Sequence, residues 1–181
     1  NRFSESRLDE IFKKYKISKV YYCSIAAEHK DFKYLSKSSI KKNINFNIIN
    51  ATLFIQFLVR KHHFTKLIFI LSHVCFIYSP GFSIYRMNKK AIEDLLLSIE
   101  IENPLFKITR VYPGPMDTDF VRNTNYKGIS IFKKIDTGWW AKKIVNSKKS
   151  LIINKKDFII LLIDSLLPFK LKKWLYTVLF S

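Results

Sequence analysis

Three short stretches place reactive side chains at telling intervals. Ser72 ends the apolar run Leu67-Ile68-Phe69-Ile70-Leu71. Tyr85 and Lys89 lie four residues apart in a helical pattern. Pro113-Gly114-Pro115, with Met116 and Thr118 beyond, follows a second apolar run. On a helix, residues four apart share a face, so phenol and ammonium would be neighbours. A phenol, with an ordinary pKa of about 10, is a poor acid–base group at neutral pH. A nearby ammonium favours the phenolate and lowers that pKa. The pair therefore suits general acid–base work at a hydroxyl or carbonyl oxygen. A serine exposed at a strand end can hydrogen-bond the same oxygen. No Gly-x-Ser-x-Gly elbow surrounds Ser72, which argues against a nucleophile. His73 beside it would point to the opposite face of a strand. Gly114 allows a planar ligand close to the backbone, Met116 offers an amide and Thr118 a hydroxyl. Taken alone, that segment reads equally as an ordinary strand-ending turn.

The elements that must position these residues can be read from periodicity. Leu8, Ile11 and Phe12 mark a helical face within 7–15, and 17–25 reads as a strand. The polar, basic stretch 31–43 reads as a loop with a helical turn. A long apolar pattern over 44–59 ends in Arg60-Lys61-His62-His63, a helix with cations at its C-terminal end. The span 66–71 is a short buried strand, and Ser79-Pro80-Gly81 a turn. A second long helix over 83–101 is stopped by Asn103-Pro104, and 107–112 is the next strand. The span 117–135 reads as irregular, 136–145 as helical, and 150–153 as a last strand. Strands alternating with helices argue for parallel βα units. In such sheets ligands sit beyond the carboxyl ends of the strands.

Composition narrows the possibilities. The chain has 181 residues, 48% hydrophobic and 25% charged, a balance that supports a packed core. The four glycines are Gly81, Gly114, Gly128 and Gly138, none in the first 80 residues. A phosphate-cradling loop needs clustered glycines, so the sequence holds neither a P-loop nor a Gly-rich dinucleotide fingerprint. The net charge is +18, with lysines spread along the chain and no dense basic block. Nonspecific attraction to polyanions follows from that charge, but no specific nucleic-acid site is expected. Cys23 and Cys75 form no CxxC motif, which fits a reducing, cytoplasmic compartment. His29, His62, His63 and His73 lack the spacing of a metal site, and His62-His63 reads as a solvated loop.

The ordered set of serine, Tyr-x-x-x-Lys and Pro-Gly-Pro-x-x-Thr resembles the short-chain dehydrogenase/reductase family. In that family the serine precedes the tyrosine by thirteen residues, the interval from Ser72 to Tyr85. Pro80 to Tyr85 and Lys89-Lys90-Ala91-Ile92 are similar to the family's helix entry. The resemblance implies an α/β fold: a partial Rossmann-like, doubly wound parallel sheet with flanking helices. It begins near Leu8, so the family's first βαβαβ wing, with its glycine-rich loop, has no counterpart in this sequence. It implies that Ser72 orients the substrate and Tyr85 transfers the proton. Lys89 would lower the Tyr85 pKa and bind the nicotinamide ribose. Pro113, Gly114, Met116 and Thr118 would line the carboxamide side. Asn45-Phe46-Asn47-Ile48-Ile49-Asn50 is similar to the family's Asp-Val-Asn-x-x-Gly pattern. Asn47 would then hold a water linking Lys89 to solvent. The implied cofactor is NAD or NADP, and the substrate a small carbonyl or secondary alcohol. The family mostly forms homo-oligomers. Two departures stand out: Tyr22-Cys23-Ser24-Ile25 replaces Asn-Asn-Ala-Gly, with Ile25 for glycine, and Asn88 replaces a small residue.

These readings divide the chain into residues 1–156, the C-terminal two-thirds of a Rossmann-type domain, and a hydrophobic, basic segment, residues 157–181. No run of 18 apolar residues occurs, so no spanning helix is expected. Over 158–181, either a basic amphipathic foot on a membrane surface or a helix packed on the domain or in a subunit interface fits the pattern. Two other functional classes stay open beside the oxidoreductase fragment. One is an inactive remnant of the same ancestry; the other is a basic module for membranes or nucleic acid.

Overall fold

A computed structural model describes residues 4–116, 118, 136–147 and 151–180. The segment read as irregular, 117–135, lies outside the described residues save Thr118.

Four parallel strands form one sheet in the order β1-β2-β3-β4: β1 (Lys19–Tyr22), β2 (Lys66–Ile70), β3 (Ile108–Tyr112) and β4 (Leu151–Ile153). The register pairs Tyr21 with Ile68, Ile68 with Thr109, and Val111 with Ile152. β2 is apolar over nearly its whole length and its three central residues are buried. That is the pattern of a parallel strand covered on both faces. β1, by contrast, alternates exposed and half-buried residues along the sheet edge.

Helices supply the crossovers. α1 (Glu5–Lys14) starts at Ser4, whose hydroxyl accepts a hydrogen bond from Arg7 N–H, and carries Lys13 and Lys14 in its last turn. Both ends thus suit the helix dipole and the unpaired backbone groups. Between β1 and β2 run α2 (Lys37–Ile44), a π-helical turn at Asn45–Ile49, and α3 (Asn50–Lys61). α4 (Ser83–Glu102) joins β2 to β3, and α5 (Thr137–Asn146) precedes β4. The C-terminal end is a pair of helices, α6 (Lys155–Leu166) and α7 (Phe169–Phe180), with Pro168 at the break.

Successive strand residues point to opposite faces, and the core follows that rule. Leu67, Phe69 and Ile108 pack with Ala51, Ile55 and Leu58 of α3 and Ile92 and Leu96 of α4. Ile68 and Val111 face the other way, onto Trp140 of α5. Helices on both faces of a parallel sheet make this the doubly wound, Rossmann-like α/β arrangement expected from the sequence.

Several local readings need correction. The stretch 31–43 is more ordered than a loop. Ser36 caps α2 by accepting from Ser39 N–H at 3.1 Å, and the helix runs on into α3. β1 is shorter than the strand read over 17–25. His62 is half-buried rather than fully solvated; its ring stacks on Phe12 with centroids 4.1 Å apart. The segment 158–181 is not one helix but two, with Asp164 buried within α6.

Candidate active site

A cavity of about 480 Å³ opens beyond the carboxyl ends of β1, β2 and β3. Its wall takes Cys23 and Ile25 after β1, Ser72 to Val74 after β2, and Pro113 to Met116 and Thr118 after β3. Phe82, Tyr85 and Lys89 enter from α4, and Trp140 and Ile144 from α5. Apolar surface predominates, with a few polar groups converging, the usual make-up of a small-molecule site. Seven of the eight residues singled out from the sequence line this one cavity; Asn47 does not.

Tyr85 and Lys89 are buried on one face of α4, one turn apart. Tyr85 and Ser72 are joined by a hydrogen bond between their side chains. Ser72 does not lie in the strand itself. It caps a single 3-10 turn, His73–Cys75, with its hydroxyl accepting from Val74 N–H at 3.3 Å. The cap fixes the hydroxyl toward the phenol. The Lys89 ammonium donates to the Ile70 carbonyl at 2.7 Å, and burial pulls its pKa down to about 8. The tyrosine moves the other way. Burial pushes its pKa up, opposed only in part by the bond to Ser72. The expected lowering of the Tyr85 pKa by Lys89 would work against this burial, which disfavours the charged phenolate.

Asn47 sits in the π-helical turn. Its Oδ1 accepts from Ala26 N–H at 2.9 Å, and its Nδ2 donates to the carbonyls of Ala26 at 2.6 Å and Asn43 at 2.9 Å. The side chain ties the segment after β1 to the helix. Asn47 also borders a much smaller cavity, about 10 Å³, with Tyr85, Asn88 and Lys89. Ile25, the residue in place of glycine, packs with Val74, Phe82 and Tyr85 at the pocket wall.

Sequence reading missed a structural role for His73. Its backbone N–H donates to the Pro113 carbonyl at 2.9 Å, and its Nδ1 lies 3.1 Å from the same oxygen. Since a carbonyl only accepts, Nδ1 carries the proton. The pair of bonds staples the loop after β2 to the loop after β3, fixing Ser72 relative to Gly114. Burial drives the His73 pKa down to about 4. Gly81 was legible as a turn residue and has φ of 77°, with the His29 ring where a Cβ would stand. That turn delivers Phe82 and Tyr85 into the cavity wall.

No protein-family model matches the sequence, and no curated protein matches it. Solved structures do match. An aldohexose dehydrogenase from Thermoplasma acidophilum, in ligand-free form, is 23% identical with a TM-score of 0.57, over 66% of this chain and 49% of its own. An alcohol dehydrogenase from Thermococcus sibiricus, complexed with 5-hydroxy-NADP, is 19% identical with a TM-score of 0.63, over 77% and 60%. A short chain dehydrogenase from Burkholderia cenocepacia, in complex with NADP, is 14% identical with a TM-score of 0.72, over 99% and 76%. The chain thus spans between half and three-fifths of the first two proteins' length. At these identities what is shared is architecture, and over the part it spans the chain has the fold of the short-chain dehydrogenase/reductases.

Proposed function

We propose that the protein is a nicotinamide-dependent oxidoreductase acting on a carbonyl or secondary alcohol, with Tyr85 as the proton-transferring group. The observation that carries the reading is the junction of Ser72, Tyr85 and Lys89 at the carboxyl end of the sheet. The Ser72–Tyr85 hydrogen bond and the buried Lys89 line one largely apolar cavity. The residues present suit the nicotinamide end of NAD or NADP. Pro113, Gly114, Met116 and Thr118 give it a flat wall with amide and hydroxyl groups, and Lys89 a cation for the ribose. The adenine and pyrophosphate find no glycine-rich cradle in this sequence. When bound, the cofactor supplies or accepts the hydride. The Ser72 hydroxyl orients the substrate oxygen, and neutral Tyr85 gives it a proton in reduction. Lys89, one turn along the same helix, would stabilise the phenolate left behind. The apolar lining favours a hydrophobic substrate.

The test is turnover of NADH and NADPH with a panel of hydrophobic ketones and aldehydes. Tyr85→Phe is expected to lower kcat by about 100-fold or more, with the near-UV circular dichroism unchanged. Full turnover by the phenylalanine variant removes Tyr85 from the chemistry. Failure of the unaltered protein to bind either nicotinamide overturns the reading.

A further inference from the structure

The α6–α7 pair presents an apolar face that nothing among the described residues covers. On α6, Phe158, Ile159, Leu162, Ile163 and Leu166 are all exposed, Leu166 by 78%. At 3.6 residues per turn they fall within an arc of about 140°. On α7, Leu171, Trp174 and Val178 share a second exposed arc, with Trp174 61% exposed. Lys170 and Lys173 are exposed beside them. The opposite side of the pair is fixed. Asp164 is buried, accepts from the Tyr176 hydroxyl at 3.0 Å and pairs with Lys172 at 3.2 Å. Tyr176 meets the Tyr78 ring edge-on, with centroids 5.8 Å apart. Two helices are thus locked with acid inward and apolar groups and cations outward.

We infer that the α6–α7 pair seats on an anionic lipid surface. Helices of this make-up lie in the interface, apolar side chains in the acyl boundary and lysines among the headgroups. An exposed tryptophan flanked by lysines suits that boundary, since both side chains have an apolar body and a polar tip. Charge decides between lipid and a second copy. Self-association would bring Lys170 and Lys173 of both copies together on a molecule of net charge +18. A surface of negative headgroups answers those charges instead. No described helix is long and apolar enough to cross a membrane, so the contact is superficial. The seat also adjoins the candidate active site. Tyr78 touches α7, while Ser79 and Phe82 in the same loop line the large cavity. An apolar substrate held in the bilayer would be delivered beside that loop. This last step rests on the proposed redox function; the lipid seat does not.

The test is co-sedimentation of the protein with vesicles of phosphatidylglycerol and phosphatidylcholine, against phosphatidylcholine alone. General attraction of a cationic protein must be separated from seating. Salt does this, because at about 0.5 M screening is confined within a few ångströms. Expected is binding to anionic vesicles that persists in part at high salt. The variant Ile163→Ser with Trp174→Ser should lose at least about tenfold in affinity and bind only at low salt. Both positions are exposed, so folding should survive; Lys170→Glu with Lys173→Glu tests the same seat through charge and should also weaken binding. Equal binding by all variants, or complete release of the unaltered protein by salt, overturns the proposal. So does a dimer in solution dispersed by the serine variant without vesicle binding, which would make the face a contact between copies.

Discussion

His73 shows how a residue can matter without touching the chemistry. It is buried, and its two bonds to the Pro113 carbonyl join the loops that carry Ser72 and Gly114. The imidazole must stay neutral to remain there. Its pKa falls from 6.5 in the open chain to about 4 in the fold. Between those values the unfolded chain binds more protons, so stability rises with pH. The contribution is complete above pH 6.5 and is lost as pH falls through 4. A tenfold change in proton affinity is worth about 1.36 kcal/mol, so the loss is on the order of 3 kcal/mol. Urea unfolding at pH 7 and at pH 4.5 should show that slope, and His73→Gln, which keeps a donor, should flatten it. Identical slopes would place the titration elsewhere. The role was not legible because the sequence reading put residue 73 on a strand. The backbone instead turns at Ser72, and a one-residue change of local structure redirected the ring.

At the scale of elements, the long helix bearing Tyr85 and Lys89 was legible almost to the residue. Its apolar periodicity is sustained, and Asn103-Pro104 ends it. The segment before α3 was not, because Lys37 to Asn43 has little apolar pattern; it is helical through its Ser36 cap and its continuity with α3. The π-helical turn at Asn45–Ile49 has no signature in periodicity at all. Its consequence is geometric. It turns Asn47 toward the chain after β1, where two hydrogen bonds hold Ala26 and the adjoining Ile25 against the pocket. Asn47→Ala strands partly buried backbone groups of Ala26, and a cost of about 2 kcal/mol is expected. A lower urea midpoint and faster hydrogen exchange at the Ala26 amide would show it. An unchanged exchange rate there would mean the segment is held by packing alone.

For the molecule as a whole, parallel βα alternation was readable because short stretches rich in Val, Ile, Phe and Tyr recur between helical patterns. The balance of charge is a different matter, since composition alone does not say whether +18 is answered locally. Part of it is. Lys61 pairs with Glu5 and Asp9, each at 2.8 Å, Lys90 with Glu93 at 2.6 Å, and Arg110 with Glu100. The exposed pairs of Lys61 contribute little and weaken with salt, whereas Glu93 and Arg110 are largely buried. Opposing them is repulsion among the excess cations, which acts over the whole surface and is also screened. The excess of eighteen positive charges should win. The urea midpoint is therefore expected to rise as NaCl goes from about 0.05 to 0.5 M, across which the screening length shrinks to a few ångströms. Salting-out also stabilises folded chains, but it keeps growing with concentration while screening saturates. A rise that levels off is thus the signature of relieved repulsion. A midpoint that falls over the first additions of salt would mean that the ion pairs on α1, α3 and α4 outweigh the net charge.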